Sequence, residues 1–160
     1  MTDFLSGLAA RIAALTPEET AVARHCFRAL LAGRPAVAAT IPESLGLDPD
    51  RVTAVLSDLC RRGSVAVDET GTVTVARGLS APATPHRLAV GDTVVHACCA
   101  VDAIGIPAAL GADAVVESRC HACRTELTVV LRGGVVTDMP PSIVIWAADL
   151  EPDRSVREHT

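Results

Sequence analysis

The chain has 160 residues, of which 49% are hydrophobic and 2% aromatic, and its formal net charge is −5. That length and hydrophobic content allow one substantial core, or a small module joined to a second one, and they exclude a disordered chain. The negative charge argues against a broad basic surface for nucleic acid, and no apolar run reaches the roughly 18 residues that a membrane helix needs.

The N-terminus predicts a cytoplasmic protein. It has an early acid, Asp3, and no basic start, so it lacks the pattern of a secretory signal. Six cysteines in the cytoplasm are expected to be reduced, metal-binding or reactive, and not paired in disulfides.

The first half of the chain is predicted to be helical. Thr16, Pro17 and two acids form a helix start, with Thr16 as the N-cap. Apolar spacing predicts helices over residues 4–15, 21–31, 42–45 and 48–62, followed by a β-hairpin with strands 64–67 and 72–75.

The last three of these helices, followed by the hairpin, indicate a winged helix-turn-helix module, which we assign to residues 1–78. The helix over 48–62 would read DNA, but three of its outward residues are acids (Asp48, Asp50, Asp58) against one Arg51, which disfavours contact with phosphate. DNA is therefore the less favoured partner, and a scaffold used for packing or for a homodimer is preferred.

The second half is predicted to be a small sheet domain. Residues 79–86 are rich in Pro and Ala and are interpreted as a linker, and residues 87–160 form the second domain. Strands are predicted at 87–90, 93–95, 114–119, 126–131 and 143–147, with one short helix after residue 98. The fold class is α+β, with a mixed or antiparallel sheet.

Residues 96–123 hold four of the six cysteines and an isolated acid. Cys99 and Asp102 are three apart, so a helix beginning near Cys98 would put both on one face. The dipole at its N-terminus would favour the Cys99 thiolate. The alternative is that Cys98 and Cys99 are small core residues and Asp102 a buried cap.

Cys120 and Cys123 form a C-x2-C between two predicted strands, a spacing typical of a metal knuckle. A redox C-x2-C would normally open a helix, so redox work is disfavoured. Further ligands would have to come from Cys98 or Cys99, or from His96 or His121.

The remaining cysteines and histidines are given structural roles. Cys26 and Cys60 are interpreted as core residues on apolar helix faces. His25, His86 and His159 have no partner by spacing and are expected at the surface or in the linker.

The order of these motifs resembles the organomercurial (alkylmercury) lyase family. The resemblance covers roughly residues 20–150 and lies mainly in C-A-V-D at Cys99 to Asp102, followed by I-P-A-A-L-G and then V-V-E-S-R-C ending at Cys120. It implies protonolysis of carbon–mercury bonds, with Cys99 as the first thiol, Asp102 as the proton relay and Cys120 in a mainly structural role. No organic cofactor is expected.

Two departures from the family pattern leave a choice open. The family has a second catalytic Cys after the region matching I-V-I-W-A-A-D-L-E-P, whereas this sequence has no Cys after Cys123 and has extra thiols at Cys98 and Cys123. Either a neighbouring thiol substitutes for the missing one, or the protein is a non-enzymatic metal-binding protein or metal-responsive regulator. In the second case Cys98, Cys99, Cys120 and Cys123 would bind Hg(II), Zn(II) or Cu.

Overall fold

Helices precede and interrupt one antiparallel sheet. The computed structural model describes residues 15–145, so the helix predicted over 4–15 lies almost entirely outside the described residues. The helices are α1 (Pro17–Leu31), α2 (Ile41–Leu45), α3 (Pro49–Arg61) and α4 (Ala100–Leu110), with a 3₁₀ turn at Ala38–Thr40. The strands are β1 (Val65–Val67), β2 (Val73–Ala76), β3 (Leu79–Ser80), β4 (His86–Val90), β5 (Thr93–Ala97), β6 (Ala114–Arg119), β7 (Glu126–Arg132) and β8 (Val135–Asp138).

Helix α1 starts as its sequence predicts. The Thr16 hydroxyl accepts the Glu19 N–H and the Glu19 carboxylate accepts the Thr16 N–H, which closes a capping box. Glu19 is only 4% exposed, and its carboxylate lies 3.2 Å from the Arg62 guanidinium beyond α3. The cap therefore also ties α1 to the end of α3.

The eight strands form one sheet in the order β1-β2-β3-β5-β4-β6-β7-β8, with every pairing antiparallel. The α+β prediction is confirmed at this level. Leu79–Ser80, at the start of the predicted linker, is strand β3 and pairs with both β2 and β5. The division of the chain into two domains at residues 79–86 stays a prediction.

The core consists of Ala, Val, Leu and Ile side chains, as the lack of aromatics requires. Helix α1 packs against β2 and β3, while α4 packs against β4, β5 and β6. Leu79, Leu88 and Leu131 are fully buried. Within residues 15–145, no helix is long and apolar enough to cross a membrane.

The C-terminal strands differ from the prediction. Strand β8 was not predicted, because all four of its residues are exposed and it has no alternation of apolar and polar positions. The strand predicted over 143–147 is wrong for residues 143–145, which have no regular structure after Pro140 and Pro141, and its last two residues lie outside the described range.

Candidate functional site

Cys99 is the N-cap of α4 and brings the predicted pair together. Its backbone is extended (φ −149°, ψ 171°) after strand β5, and its Sγ accepts the Asp102 N–H at 3.4 Å. The Cys99 thiol in turn donates to Asp102 Oδ2 at 3.0 Å. A thiol thus occupies the position where Ser or Asp usually caps a helix, and it holds a carboxyl group one turn into that helix.

Burial controls the ionisation of this pair. Cys99 is 2% exposed, and desolvation, followed by the Asp102 charge, raises the pKa of its thiol to about 12. Desolvation also raises the pKa of Asp102, against smaller opposing effects of the Cys99 hydrogen bond and the His86 charge. The sequence prediction that the helix dipole would favour the thiolate is wrong, because loss of solvent outweighs the helix N-terminus. The Cys99 sulfur therefore retains its proton, and this proton points to the Asp102 carboxylate.

Gly78 lies directly over the Asp102 carboxyl group. A Cβ built on Gly78 would lie 2.5 Å from Asp102 Cγ and still closer to Oδ1. Gly78 has φ +88°, and its carbonyl accepts the Cys98 N–H at 2.7 Å. The turn before β3 therefore covers the carboxyl group and fixes the start of the Cys98–Cys99 segment. Only glycine permits so close an approach of the backbone to Asp102.

His86 is a site residue that sequence reasoning missed. The positive charge of His86 lowers the pKa of Asp102. Burial lowers the pKa of His86 itself, and the negative charge of Asp102 opposes this shift. His86 Nδ1 lies 3.0 Å from Ser118 Oγ, and the two residues are register partners across β4 and β6. Because Ser118 is 32 residues away, no local spacing in the sequence could have indicated this contact.

The loop before His86 is fixed by Thr84. The Thr84 hydroxyl donates to Ala97 O at 2.7 Å and accepts the His86 N–H at 3.1 Å. The Thr84 N–H donates to His96 Nδ1 at 3.3 Å. His96, one of the predicted alternative ligands, is thus engaged with this loop.

Cys120 and Cys123 meet in the turn between β6 and β7. The Cys120 N–H donates to Thr125 O, and the Cys120 carbonyl accepts the Arg124 N–H, each at 2.9 Å. The Cys123 thiol donates to Thr125 Oγ1 at 3.2 Å. The side-chain and backbone hydrogen bonds of Thr125, then that of Cys120, lower the pKa of the exposed Cys123 to about 7.

The predicted ligands do not gather at one point. In the part of the chain that the structure describes, no three His, Cys, Asp or Glu side chains are grouped so as to hold one metal ion. His121 is exposed in the β6–β7 turn, and Cys98 is half-buried beside Cys99. The structure therefore contains two separate pairs, Cys99–Asp102 and Cys120–Cys123.

The other two cysteines lie in the helical part. Cys26 is fully buried, as predicted, and burial raises the pKa of its thiol to about 11. Cys60 is exposed, so its assignment to the core is wrong. It follows the buried Leu59 and lies at the edge of the apolar face of α3, where it lines a surface groove of about 870 Å³ that contains neither pair.

Known proteins resemble this chain over the region that holds both pairs. The alkylmercury lyase (MerB) family model matches residues 79–159. Alkylmercury lyases of Streptomyces lividans and Pseudomonas putida are each 30% identical, over 76% and 79% of this chain and 55% and 59% of their own lengths. The alkylmercury lyase of Bacillus cereus is 28% identical over 82% of this chain and 59% of its own length.

A solved structure extends the likeness to the fold. The crystal structure of the mercury-bound form of MerB2 superposes with a TM-score of 0.87 at 22% identity, covering all of this chain and 78% of that one. The chain spans less than two thirds of the length of the curated relatives, but the family match covers half of it, including Cys99, Asp102, Cys120 and Cys123. This chain belongs to the alkylmercury lyase family.

Proposed function

We propose that this chain cleaves carbon–mercury bonds by protonolysis, with Cys99 as the attacking thiol and Asp102 as the proton relay. The proposal rests on one observation above all: the buried Cys99 thiol donates a hydrogen bond to an oxygen of the half-buried Asp102 carboxyl group at 3.0 Å. Membership of the alkylmercury lyase family supports the choice of reaction.

The first step exchanges a proton for mercury on sulfur. The substrate is an organomercurial R–Hg–X, in which X is a thiolate or halide. As the Cys99 sulfur bonds to mercury, its proton passes to Asp102 Oδ2, the acceptor it already faces. A thiol whose pKa is raised to about 12 is a weak nucleophile by itself, but a soft ion binds thiolate strongly enough to displace the proton.

The second step delivers that proton to carbon. Asp102 donates it to R as the carbon–mercury bond breaks, which releases R–H and leaves Cys99–S–Hg–X. One proton leaves sulfur and one reaches carbon, so the step balances. Burial raises the pKa of Asp102, which makes its carboxylate a better acceptor for the proton that leaves Cys99. Because only 2% of Cys99 is exposed, little of the proton is expected to be lost to solvent.

This scheme requires one protein thiol at the reacting centre. The two negative ligands that Hg(II) needs are the Cys99 thiolate and X, so cleavage proceeds without a second catalytic cysteine. Cys98, half-buried and adjacent, is the thiol we propose to take the place of X when X is weakly bound. Among the described residues there is no cluster for a tetrahedral zinc ion, and Hg(II) is the ion we propose.

We also propose that residues 17–76 act as a winged-helix scaffold and not as a DNA reader. The order α1, α2, α3, β1, β2 supports the first part. Exposed arginines of α3 are already paired: Arg51 contacts Glu18 at 2.6 Å, and Arg61 contacts Asp58. These ion pairs leave little positive charge on α3 for contact with DNA phosphates. A gel shift at low salt with the upstream DNA tests this, and specific binding would contradict it. The homodimer stays a prediction.

Methylmercury turnover tests the lyase proposal. We expect the purified protein, with an external monothiol, to release methane measured by gas chromatography. Cys99→Ser should abolish release, and Cys60→Ser, a change at an exposed thiol outside both pairs, should leave it unchanged. Methane release by Cys99→Ser at the wild-type rate would contradict the proposal.

A further inference from the structure

The β6–β7 turn presents two sulfurs to solvent. Cys123 is exposed and Cys120 half-buried, and the Cys120 side chain is close enough to help lower the pKa of Cys123. The backbone hydrogen bonds of Cys120 with Arg124 and Thr125 close the turn over residues 121–124, which keeps both thiols within one turn before any ligand binds. Such an arrangement lowers the conformational cost of bridging the two sulfurs with one ion.

The number of ligands limits which ion this pair can bind. In residues 15–145 no third His, Cys, Asp or Glu joins the two thiols. Structural zinc almost always takes four protein ligands. Hg(II) is soft, selects thiolate and is satisfied by two sulfurs in a line. The pair therefore fits a two-coordinate soft ion better than it fits zinc.

Strand β6 connects this pair to the buried site. Alternate residues of β6 face the core, first Ala114 and Val116 and then the half-buried Ser118, and the half-buried Cys120 follows the last residue of the strand. Ser118 contacts His86, whose charge acts on Asp102. Cys120 follows two residues, or about 7 Å of extended chain, after Ser118.

We infer that Cys120 and Cys123 form a second, solvent-facing thiolate site that accepts Hg(II) from Cys99 after cleavage. Whether Cys120 and Cys123 bind the ion does not depend on the proposed lyase function. Their role as acceptors of Hg(II) from Cys99 does rest on that function. In the transfer, Cys99–S–Hg–X and two thiols give Hg bonded to Cys120 and Cys123, with one proton returned to Cys99 and the other leaving with X as HX. The transfer regenerates the buried thiol and moves the ion to where external thiols can remove it.

Retention of inorganic Hg(II) tests the site without relying on the lyase reaction. In a Cys99→Ala background, Hg(II) is added with excess monothiol, the protein is gel-filtered and bound mercury is counted by native mass spectrometry. We expect one ion per chain, none after adding Cys120→Ser or Cys123→Ser, and one after adding Cys60→Ser as the control. Retention of the ion by the Cys123→Ser double variant, or no ion in Cys99→Ala alone, would overturn the site.

A second measurement tests the acceptor role. At limiting external thiol, steady-state methane release by Cys123→Ser should be several-fold slower than that of the wild type, and excess thiol should restore it. An unchanged rate at limiting thiol would overturn the acceptor role. If the wild type released no methane, the proposed lyase function would fail, whereas the retention experiment would still decide whether the site exists.

Discussion

The buried pair, Cys99 and Asp102, and the surface pair, Cys120 and Cys123, have the same spacing of three residues and opposite chemistry. Cys99 caps a helix and its thiol pKa is raised to about 12 by burial. Cys123 lies in an exposed turn, and the hydrogen bonds of Thr125 lower its thiol pKa to about 7. Sequence spacing places the thiols, but burial at Cys99 and hydrogen bonding at Cys123 decide whether each one keeps or releases its proton.

The largest expected difference between the pairs is in alkylation rate at pH 7. About half of Cys123 and about one in 10⁵ of Cys99 would be thiolate, given pKa values of about 7 and about 12. The greater nucleophilicity of the more basic thiolate offsets part of this, with a Brønsted slope of about 0.4–0.5. We expect Cys123 to react at least on the order of 100-fold faster, as measured by iodoacetamide labelling and peptide mapping.

A matched variant sharpens the alkylation result. Thr125→Val removes the hydroxyl beside Cys123 with little change of shape, so labelling of Cys123 should slow while labelling of Cys99 stays the same. Equal labelling rates for Cys99 and Cys123 in the native protein would contradict the contrast between the pairs.

Gly78→Ala should disable the buried pair by displacing Asp102. The new Cβ would overlap the carboxyl group, and a misplacement of about 1 Å can reduce a rate on the order of 100-fold. We expect a 10–100-fold loss of methane release, on the order estimated for such misplacement. The positive φ adds a stability cost of about 1 kcal/mol, measured by urea unfolding.

Gly71→Ala is the control for backbone strain. Gly71 has φ +81° and no atom within 4 Å of a built Cβ. Its substitution should therefore lower the free energy of unfolding about as much as Gly78→Ala does, while methane release is retained. If both variants lost the same activity, the crowding of Asp102 would not be the cause.

His86→Gln should have a smaller effect on the buried pair. Removing the charge of His86 raises the pKa of Asp102, since that charge lowers it in the native protein. The acidic limb of the pH–rate profile should therefore move to higher pH, with less than about a tenfold loss at neutral pH, below the usual contribution of a general acid or base. His25→Gln serves as the control, and an unmoved acidic limb in His86→Gln would argue against coupling.

Asp102→Asn should stabilise the fold slightly while harming function. Burial raises the pKa of Asp102 above 3.8, so the folded carboxylate is disfavoured and wild-type stability is lost as pH rises through the folded pKa. The variant lacks this loss and should gain about 1 kcal/mol at pH 7 in denaturant unfolding. The gain should disappear below about pH 4, where the carboxyl is neutral in both states; a gain that persisted there would contradict the assignment to charge burial.

The sequence predicted what depends on local pattern. The Thr16 cap, a helix beginning near Cys98 and the Cys-x2-Asp pair all follow from spacing and residue type. The His86–Ser118 contact and the approach of Gly78 to Asp102 depend on sheet register and on a long-range turn, which no local pattern encodes. The ionisation of Cys99 was predicted with the wrong sign because burial could not be judged from the sequence.

The account depends on Asp102 transferring a proton from sulfur to carbon, and a single-turnover experiment tests this most directly. One equivalent of methylmercury is mixed with the wild type or with Asp102→Asn, which keeps the shape of the side chain but lacks the acidic proton. We predict one methane per chain from the wild type, and at least 100-fold slower release from Asp102→Asn, within the usual range for removing a general acid, with methylmercury still bound at Cys99 by mass spectrometry. Release of methane by Asp102→Asn at the wild-type rate would contradict the account.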